Sequence, residues 1–110
     1  MTLKVFNNII LHIVISKKIL GGIIMDKKQV VFDKIKEIIV QELGVKAEKV
    51  VLTAALADDF GADSLDALEL FNQIESEFLV TISDDAAMKM KDVSDLVDFV
   101  LEHVSDKYFA

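Results

Sequence analysis

One short segment combines a glycine, a serine and two carboxylates at a spacing that suits phosphate chemistry. It reads Phe60-Gly61-Ala62-Asp63-Ser64-Leu65-Asp66. Gly61 allows a tight turn, and Asp63 can cap the backbone donors of a helix that begins at Ser64. The Ser64 hydroxyl would then stand beside free backbone N–H groups and the positive end of the helix dipole, which favour a bound phosphate. A serine at such a place is most often only a cap, so the tripeptide Asp-Ser-Leu alone is a weak signal.

Helical periodicity on both sides of this segment predicts the scaffold that positions Ser64. Apolar residues recur at three- and four-residue steps before Gly44, which can end a first helix. A second helix starts at Asp63-Ser64, a short third helix covers residues 85–90 with Ser83 or Asp84 as its cap, and a fourth begins near Val93. The apolar positions of the first two helices are Val31, Ile35, Ile38, Ile39, Leu43, Ala67, Leu70, Phe71, Ile74 and Phe78.

These elements predict an all-α fold. The expected architecture is a four-helix bundle with a long loop between helices 1 and 2 and a short third helix. The loop, residues 45–63, has no long period. Its apolar residues are expected to fold back onto the core, and they are Val50, Leu52, Leu56 and Phe60. No strand pattern of useful length is found.

Composition narrows the function classes. A chain of 110 residues has room for one domain. Its formal charge of −7 disfavours nucleic acid as a partner and favours basic protein surfaces. There is no cysteine, hence no disulfide, thiolate metal site or cysteine nucleophile. His12 and His103 stand apart without clustered ligands, so no metal site is expected; His103 is expected in the last turn of a helix.

The charge divides the chain into two unlike segments near Met25. Residues 1–25 hold three lysines and no acid, whereas residues 26–110 carry a formal charge of −10. The apolar run in the first segment is too short to span a membrane, and no stable membrane insertion is expected. Residues 20–25 can be encoded by DNA that contains a bacterial ribosome-binding site ahead of a start codon. Residues 1–24 are therefore interpreted as an extension upstream of a true start at Met25; an amphipathic membrane-surface arm is the main alternative.

From Met25 to about His103 the chain resembles a bacterial type II acyl carrier protein. The similarity rests on several stretches at matching offsets and not on Ser64 alone. These are Glu42-Leu43-Gly44-Val45, Gly61-Ala62-Asp63-Ser64-Leu65-Asp66, Glu69-Leu70, Glu75, Phe78, Ile82, Asp84, Asp85, Ala87 and Val93. Residues 25–110 are accordingly interpreted as an acyl carrier domain.

The resemblance implies a specific chemistry. A phosphopantetheinyl transferase would move 4′-phosphopantetheine from coenzyme A onto Ser64, and the arm would supply the thiol that this chain lacks. The thiol of the arm would carry growing fatty acyl chains as thioesters. The carrier would present these chains to fatty acid synthesis enzymes and acyltransferases with basic docking surfaces. The protein would be a cytoplasmic monomer and not an enzyme, since no base in the motif activates Ser64 as a nucleophile.

The resemblance also implies two groups of binding residues. The expected partner-recognition residues are Asp63, Leu65, Asp66, Glu69 and Glu75. The expected acyl-cleft residues are Phe60, Leu68, Phe71, Ile74, Ile82, Ala87 and Met90. Leu68 and Phe71 are bulkier than the valines usual in the family, and Asn72 replaces a large apolar residue. These departures leave the partners and the preferred chain length open.

Two alternatives remain at the level of sequence. The attachment motif is equally compatible with a carrier for another pathway, such as a polyketide, peptide synthetase, D-alanyl or specialised lipid carrier. From a different class, the chain could be an acidic helical interaction or calcium-buffering protein without a prosthetic group. Its clustered acids lack the alternating oxygen ligands, central glycine and terminal glutamate of a calcium loop.

Overall fold

The computed structural model describes residues 27–109, which form four helices and two short 3₁₀ turns. Helix α1 covers residues 27–43, α2 Ser64–Phe78, α3 Asp84–Lys89 and α4 Val93–His103. The 3₁₀ turns are Ala47–Lys49 and Asp106–Phe109. The all-α bundle with a short third helix is confirmed. The interpretation of residues 1–24 and of Met25 concerns residues outside the described range.

One hydrophobic core joins α1, α2, α4 and the long loop. The apolar stripes of the helices turn inward, and the loop residues Val50 and Leu56 are buried with them, while Leu52 and Phe60 pack against the core half-buried. Its most deeply enclosed members are Val31, Ile35, Ile39, Val50, Leu70, Ile74, Phe78, Val93, Leu96, Val97 and Val100. Within residues 27–109, no helix is long and apolar enough to cross a membrane.

The two ends of α2 are fixed by different means. At its start Asp63 and Asp66 form a capping box, in which each carboxylate accepts a hydrogen bond from the other residue's backbone N–H. At its end Leu79 adopts the left-handed conformation, with φ of 55°. A leucine there is uncommon, because its Cβ crowds the backbone. The predicted start of α2 at Asp63-Ser64 is confirmed.

Backbone hydrogen bonds hold the long loop against the linker between α3 and α4. Leu56 N–H donates to the carbonyl of Lys91 at 2.9 Å, and Val93 N–H donates to Ala54 at 3.0 Å. Ala55 and Asp92 face each other as an isolated antiparallel bridge. The loop therefore forms a fixed wall of the bundle, although it contains no regular helix longer than one turn.

Helices α3 and α4 differ in how firmly they are anchored. Ser83 caps α3, which contributes no fully buried residue to the core. Asp92 caps α4, accepting from Asp95 N–H at 2.9 Å and from the Ser94 hydroxyl at 2.8 Å, and these bonds hold the pKa of Asp92 below its usual range. Since α4 buries four residues, it belongs to the core and α3 to its edge.

Residues beyond α4 turn back over the end of α2. His103 lies in the last turn of α4, as predicted, and its Nδ1 is 2.8 Å from the carbonyl of Phe99. The Tyr108 ring then packs on Phe78, with centroids 4.9 Å apart, and its hydroxyl donates to Glu77 at 2.6 Å. The 3₁₀ turn Asp106–Phe109 thus closes the bundle at the end opposite to Ser64.

Candidate functional site

Ser64 is the first residue of α2 and is exposed to solvent. The preceding residues turn sharply at Gly61, whose φ of 69° lies in the left-handed region that glycine adopts without strain. Gly61 N–H donates to Ala57 at 2.9 Å and Ala62 N–H donates to Leu56 at 3.0 Å. The approach to Ser64 is therefore ordered by the long loop, while its hydroxyl stays accessible.

The first turn of α2 leaves two backbone donors available beside Ser64. Asp66 N–H is taken by the Asp63 carboxylate at 2.9 Å. The N–H groups of Ser64 and Leu65 precede the first hydrogen bond of the helix, which runs from Ala67 to Asp63, and within residues 27–109 they have no partner. A phosphate on the Ser64 hydroxyl fits these donors and the helix dipole.

The same turn also places negative charge near that phosphate. Asp63 and Asp66 flank Ser64, and the exposed Asp58 and Asp59 precede it in the loop. Asp59 accepts a hydrogen bond from Ala55 N–H at 2.6 Å, so it also holds the loop. Within the described residues no side chain hydrogen-bonds the Ser64 hydroxyl. The site can thus hold an ester but contains no group that activates the serine.

A cavity of about 410 Å³ lies between the long loop, the inner face of α2 and the end of α3. Its lining is mostly apolar and unusually rich in alanine. The lining residues are Ala55, Leu56, Ala57, Asp58, Ala62, Ala67, Phe71, Ala87, Met90 and Lys91. Ala62 stands two residues before Ser64 and Ala67 three residues after it. The cavity therefore lies under the helix start that bears Ser64.

The expected cleft residues occupy different surroundings. Phe71, Ala87 and Met90 border this cavity. Ile74 is enclosed in the core, and Phe60 and Ile82 pack half-buried against it. Leu68 is 54% exposed and does not border the cavity, because it lies on the outer side of α2. The structure therefore brings three of the seven residues together at one cavity.

The expected partner-recognition residues divide in a similar way. Leu65 is 64% exposed and Glu69 is also exposed, one turn apart on the outer face of α2. Asp63 and Asp66 border the same end but serve in the capping box. Glu75 is half-buried, and its carboxylate accepts from Ile82 N–H at 2.8 Å, which ties α2 to the segment before α3.

Several cavity residues are not among those expected from the sequence. Ala55, Ala57 and Lys91 reach the cavity only because the loop pairs with the linker after α3. A single small residue carries no signal of its own in a sequence. The clustering of alanines in residues 54–57 with Ala62 and Ala67 is the only feature that could have indicated a space beside α2.

Known proteins match this chain along most of the described bundle. The family model described as "Phosphopantetheine attachment site" matches residues 33–100. The acyl carrier protein of Karelsulcia muelleri (strain GWSS) is 43% identical over 77 residues, which cover 70% of this chain and 93% of that protein. The chain belongs to the acyl carrier protein family.

A solved structure agrees with this membership. The acyl carrier protein from Enterococcus faecalis, studied for its high thermal stability, superposes with a TM-score of 0.60 at 31% identity. The match covers 68% of this chain and 95% of that one. As an acyl carrier protein, this chain is a carrier and not an enzyme, its prosthetic group is phosphopantetheine, and it works with enzymes of acyl metabolism.

Proposed function

We propose that Ser64 carries the phosphopantetheine arm and that the chain delivers growing fatty acyl groups to the enzymes of fatty acid synthesis. The main support is one juxtaposition: an exposed serine at a capped helix start lies directly above an apolar cavity. The serine provides the attachment point, and the cavity provides an apolar space in which a hydrocarbon chain can be buried.

The loading reaction needs little from the carrier itself. The Ser64 oxygen attacks the pantetheine-bearing phosphorus of the coenzyme A diphosphate and forms a phosphodiester to 4′-phosphopantetheine. The P–O bond of the diphosphate breaks, and 3′,5′-adenosine bisphosphate leaves. The hydroxyl proton leaves to a base of the phosphopantetheinyl transferase, since no side chain of the described residues hydrogen-bonds that hydroxyl and the flanking Asp63 and Asp66 carboxylates bind backbone N–H groups. The carrier contributes exposure of the hydroxyl and the N–H groups of Ser64 and Leu65, which lie beside the new phosphate.

The nature of the cavity favours fatty acyl cargo over aminoacyl cargo. Leu56, Phe71, Met90 and five alanines line it, and the charged lining residues Asp58 and Lys91 are both exposed. Enclosing a hydrocarbon there is favourable by about 0.8 kcal/mol for each buried CH₂. A D-alanyl group has only a methyl side chain to bury there, so the same lining would stabilise it far less.

The outer face of α2 is the proposed docking surface for partner enzymes. Leu65 supplies an exposed apolar contact, and Asp63, Asp66 and Glu69 surround it with negative charge. Charges of this kind steer the approach of a basic surface and fix its orientation. Glu75 stays part of the proposal with a second role, because its carboxylate also holds the segment before α3.

Intact mass after incubation with coenzyme A and a transferase tests the attachment site. The mass of the parent chain should rise by one phosphopantetheine. Ser64→Ala should abolish this gain in mass and leave the helical circular dichroism spectrum unchanged. Ser76→Ala is the matched control, because Ser76 is an exposed serine on the same helix; it should be labelled like the parent chain. Labelling of Ser64→Ala would refute the assignment.

The pathway is tested by the enzymes that accept the loaded carrier. A malonyl-transferring enzyme of fatty acid synthesis should load the arm, whereas a D-alanine-activating ligase should not. Efficient D-alanylation without malonylation would replace fatty acid synthesis with another pathway and leave Ser64 as the attachment site.

A further inference from the structure

The cavity beside Ser64 is lined mainly by alanines and by one aromatic ring. Five of its lining residues are alanines, contributed by the loop, by the residues around the start of α2 and by α3. Phe71 is the only aromatic residue among them. It is 9% exposed, so most of its surface is shielded from solvent while part of it borders the cavity. The space that a ligand could fill is thus bounded on the α2 side by a single bulky group.

Phe71 also marks the depth at which the cavity ends along α2. Counted from Ser64, Ala67 and Phe71 are the residues of the helix body that border it. Phe71 lies about 10 Å along the helix axis from Ser64. One turn further, Ile74 is completely enclosed, and Phe78 beyond it is 1% exposed. Residues so enclosed are close-packed and leave no room for a chain without displacement of core side chains.

Met90, another large lining residue, is suited to a different role. It lies just after α3, which has no fully buried residue, and methionine is unbranched with three rotatable bonds. Met90 can therefore adjust around a chain. A phenylalanine ring is rigid and has only two side-chain torsions, so Phe71 sets a firmer limit.

We propose that Phe71 determines the length of acyl chain that the carrier can enclose, by closing the inner end of the cavity under Ser64. This rests on the proposed function of Ser64. Chains that end before the Phe71 ring are enclosed completely. Longer chains leave their distal carbons in water, where they gain no further stabilisation from burial.

Thermal melting of the loaded carrier measures this limit. A transferase that accepts acyl-coenzyme A can install saturated acyl arms of increasing length on Ser64. For the parent chain, Tm should rise with each added carbon and then level off. Phe71→Leu should move the levelling point to longer chains, and Ala67→Val, which fills the cavity, should move it to shorter ones.

Phe78→Leu is the matched control, because it makes the same change on the same helix two turns further from Ser64. It should lower Tm for every arm and leave the levelling point in place. If Phe71→Leu behaves like Phe78→Leu, or if Tm does not depend on chain length, the inference is wrong although Ser64 is loaded. If no arm can be installed on Ser64, the proposed function fails and this inference fails with it.

Discussion

The two ends of α2 are built for different tasks. At the Ser64 end the helix start is exposed and acidic, and the space beneath it is lined by alanines. At the Phe78 end the side chains interlock: Tyr108 packs on Phe78 and donates to Glu77. Lys27 there lies 3.5 Å from Asp106 and 5.5 Å from the centre of the Phe109 ring.

Under the proposed function, this contrast separates stability and cargo binding along one helix. A space that must admit and release a chain cannot be filled with well-packed side chains, so it contributes little to the free energy of folding. The closed end must supply what the open end lacks. Substitutions at the two ends should therefore affect different measurements.

The largest expected effect is at the closed end. Phe78→Ala removes a completely buried ring and should lower the free energy of unfolding by about 3–5 kcal/mol, measured by urea titration. Phe71→Ala should cost less, because its ring already borders a cavity and loses fewer contacts. Equal losses of unfolding free energy in the two variants would mean that both ends of α2 are packed alike, which would contradict the proposed difference between them.

A smaller loss of unfolding free energy is expected when only the hydrogen bond between Tyr108 and Glu77 is removed. Tyr108→Phe keeps the ring on Phe78 but deletes the bond to Glu77, a bond to a charged group that should be worth about 1.5–3 kcal/mol. Loading of Ser64 should be unchanged. A slower loading reaction in this variant would show that the two ends are coupled.

Tyr108 also makes the stability contributed by the closed end depend on pH. Burial of the ring and then the hydrogen bond to Glu77 raise the pKa of Tyr108 above its usual value. The folded state thus holds the phenol proton more tightly than the unfolded chain does. The stability that protonated Tyr108 contributes to the folded state is complete below a pH of about 10 and is lost as the pH rises further. Urea titrations at pH 8 and pH 11 should show that the free energy of unfolding falls more between these pH values for the parent chain than for Tyr108→Phe.

The smallest effect concerns association and not stability. Glu69→Lys at the open end should slow loading of Ser64 at low ionic strength, by up to about fivefold for a contribution of about 1 kcal/mol. The deficit should shrink as salt rises, because salt screens exposed charges. Glu102→Lys, an equal reversal on an exposed residue in the last turn of α4, should have little effect. If both variants slow loading equally, net charge matters and a docking face does not exist.

Local sequence signals were sufficient for the helices and for the position of Ser64. Asp63 and Ser83 precede apolar periodic runs, and both cap helices as predicted. Gly44 ends α1 with a positive φ of 70°. In each case the determining contacts span only a few residues, so the pattern of neighbouring residue types is enough to indicate them.

Contacts between distant residues were not predictable in this way. Tyr108 and Glu77 are 31 positions apart, and no period relates them. Leu68, which the resemblance placed in the acyl cleft, is exposed, because the rotation of α2 is set by Leu70 and Ile74 in the core. The cavity likewise depends on backbone pairing between the loop and Lys91.

The short helix α3 has a consequence for the timing of acyl transfer. Since it buries no residue fully, its amide hydrogens should exchange with solvent through small local openings, well before those of α2 and α4. Ala87 and Met90 belong to this helix and its end, and both line the cavity. Under the proposed function, the wall that opens most often is therefore the one that would enclose the cargo, so that a chain could enter or leave in a brief fluctuation while the rest of the bundle stays folded.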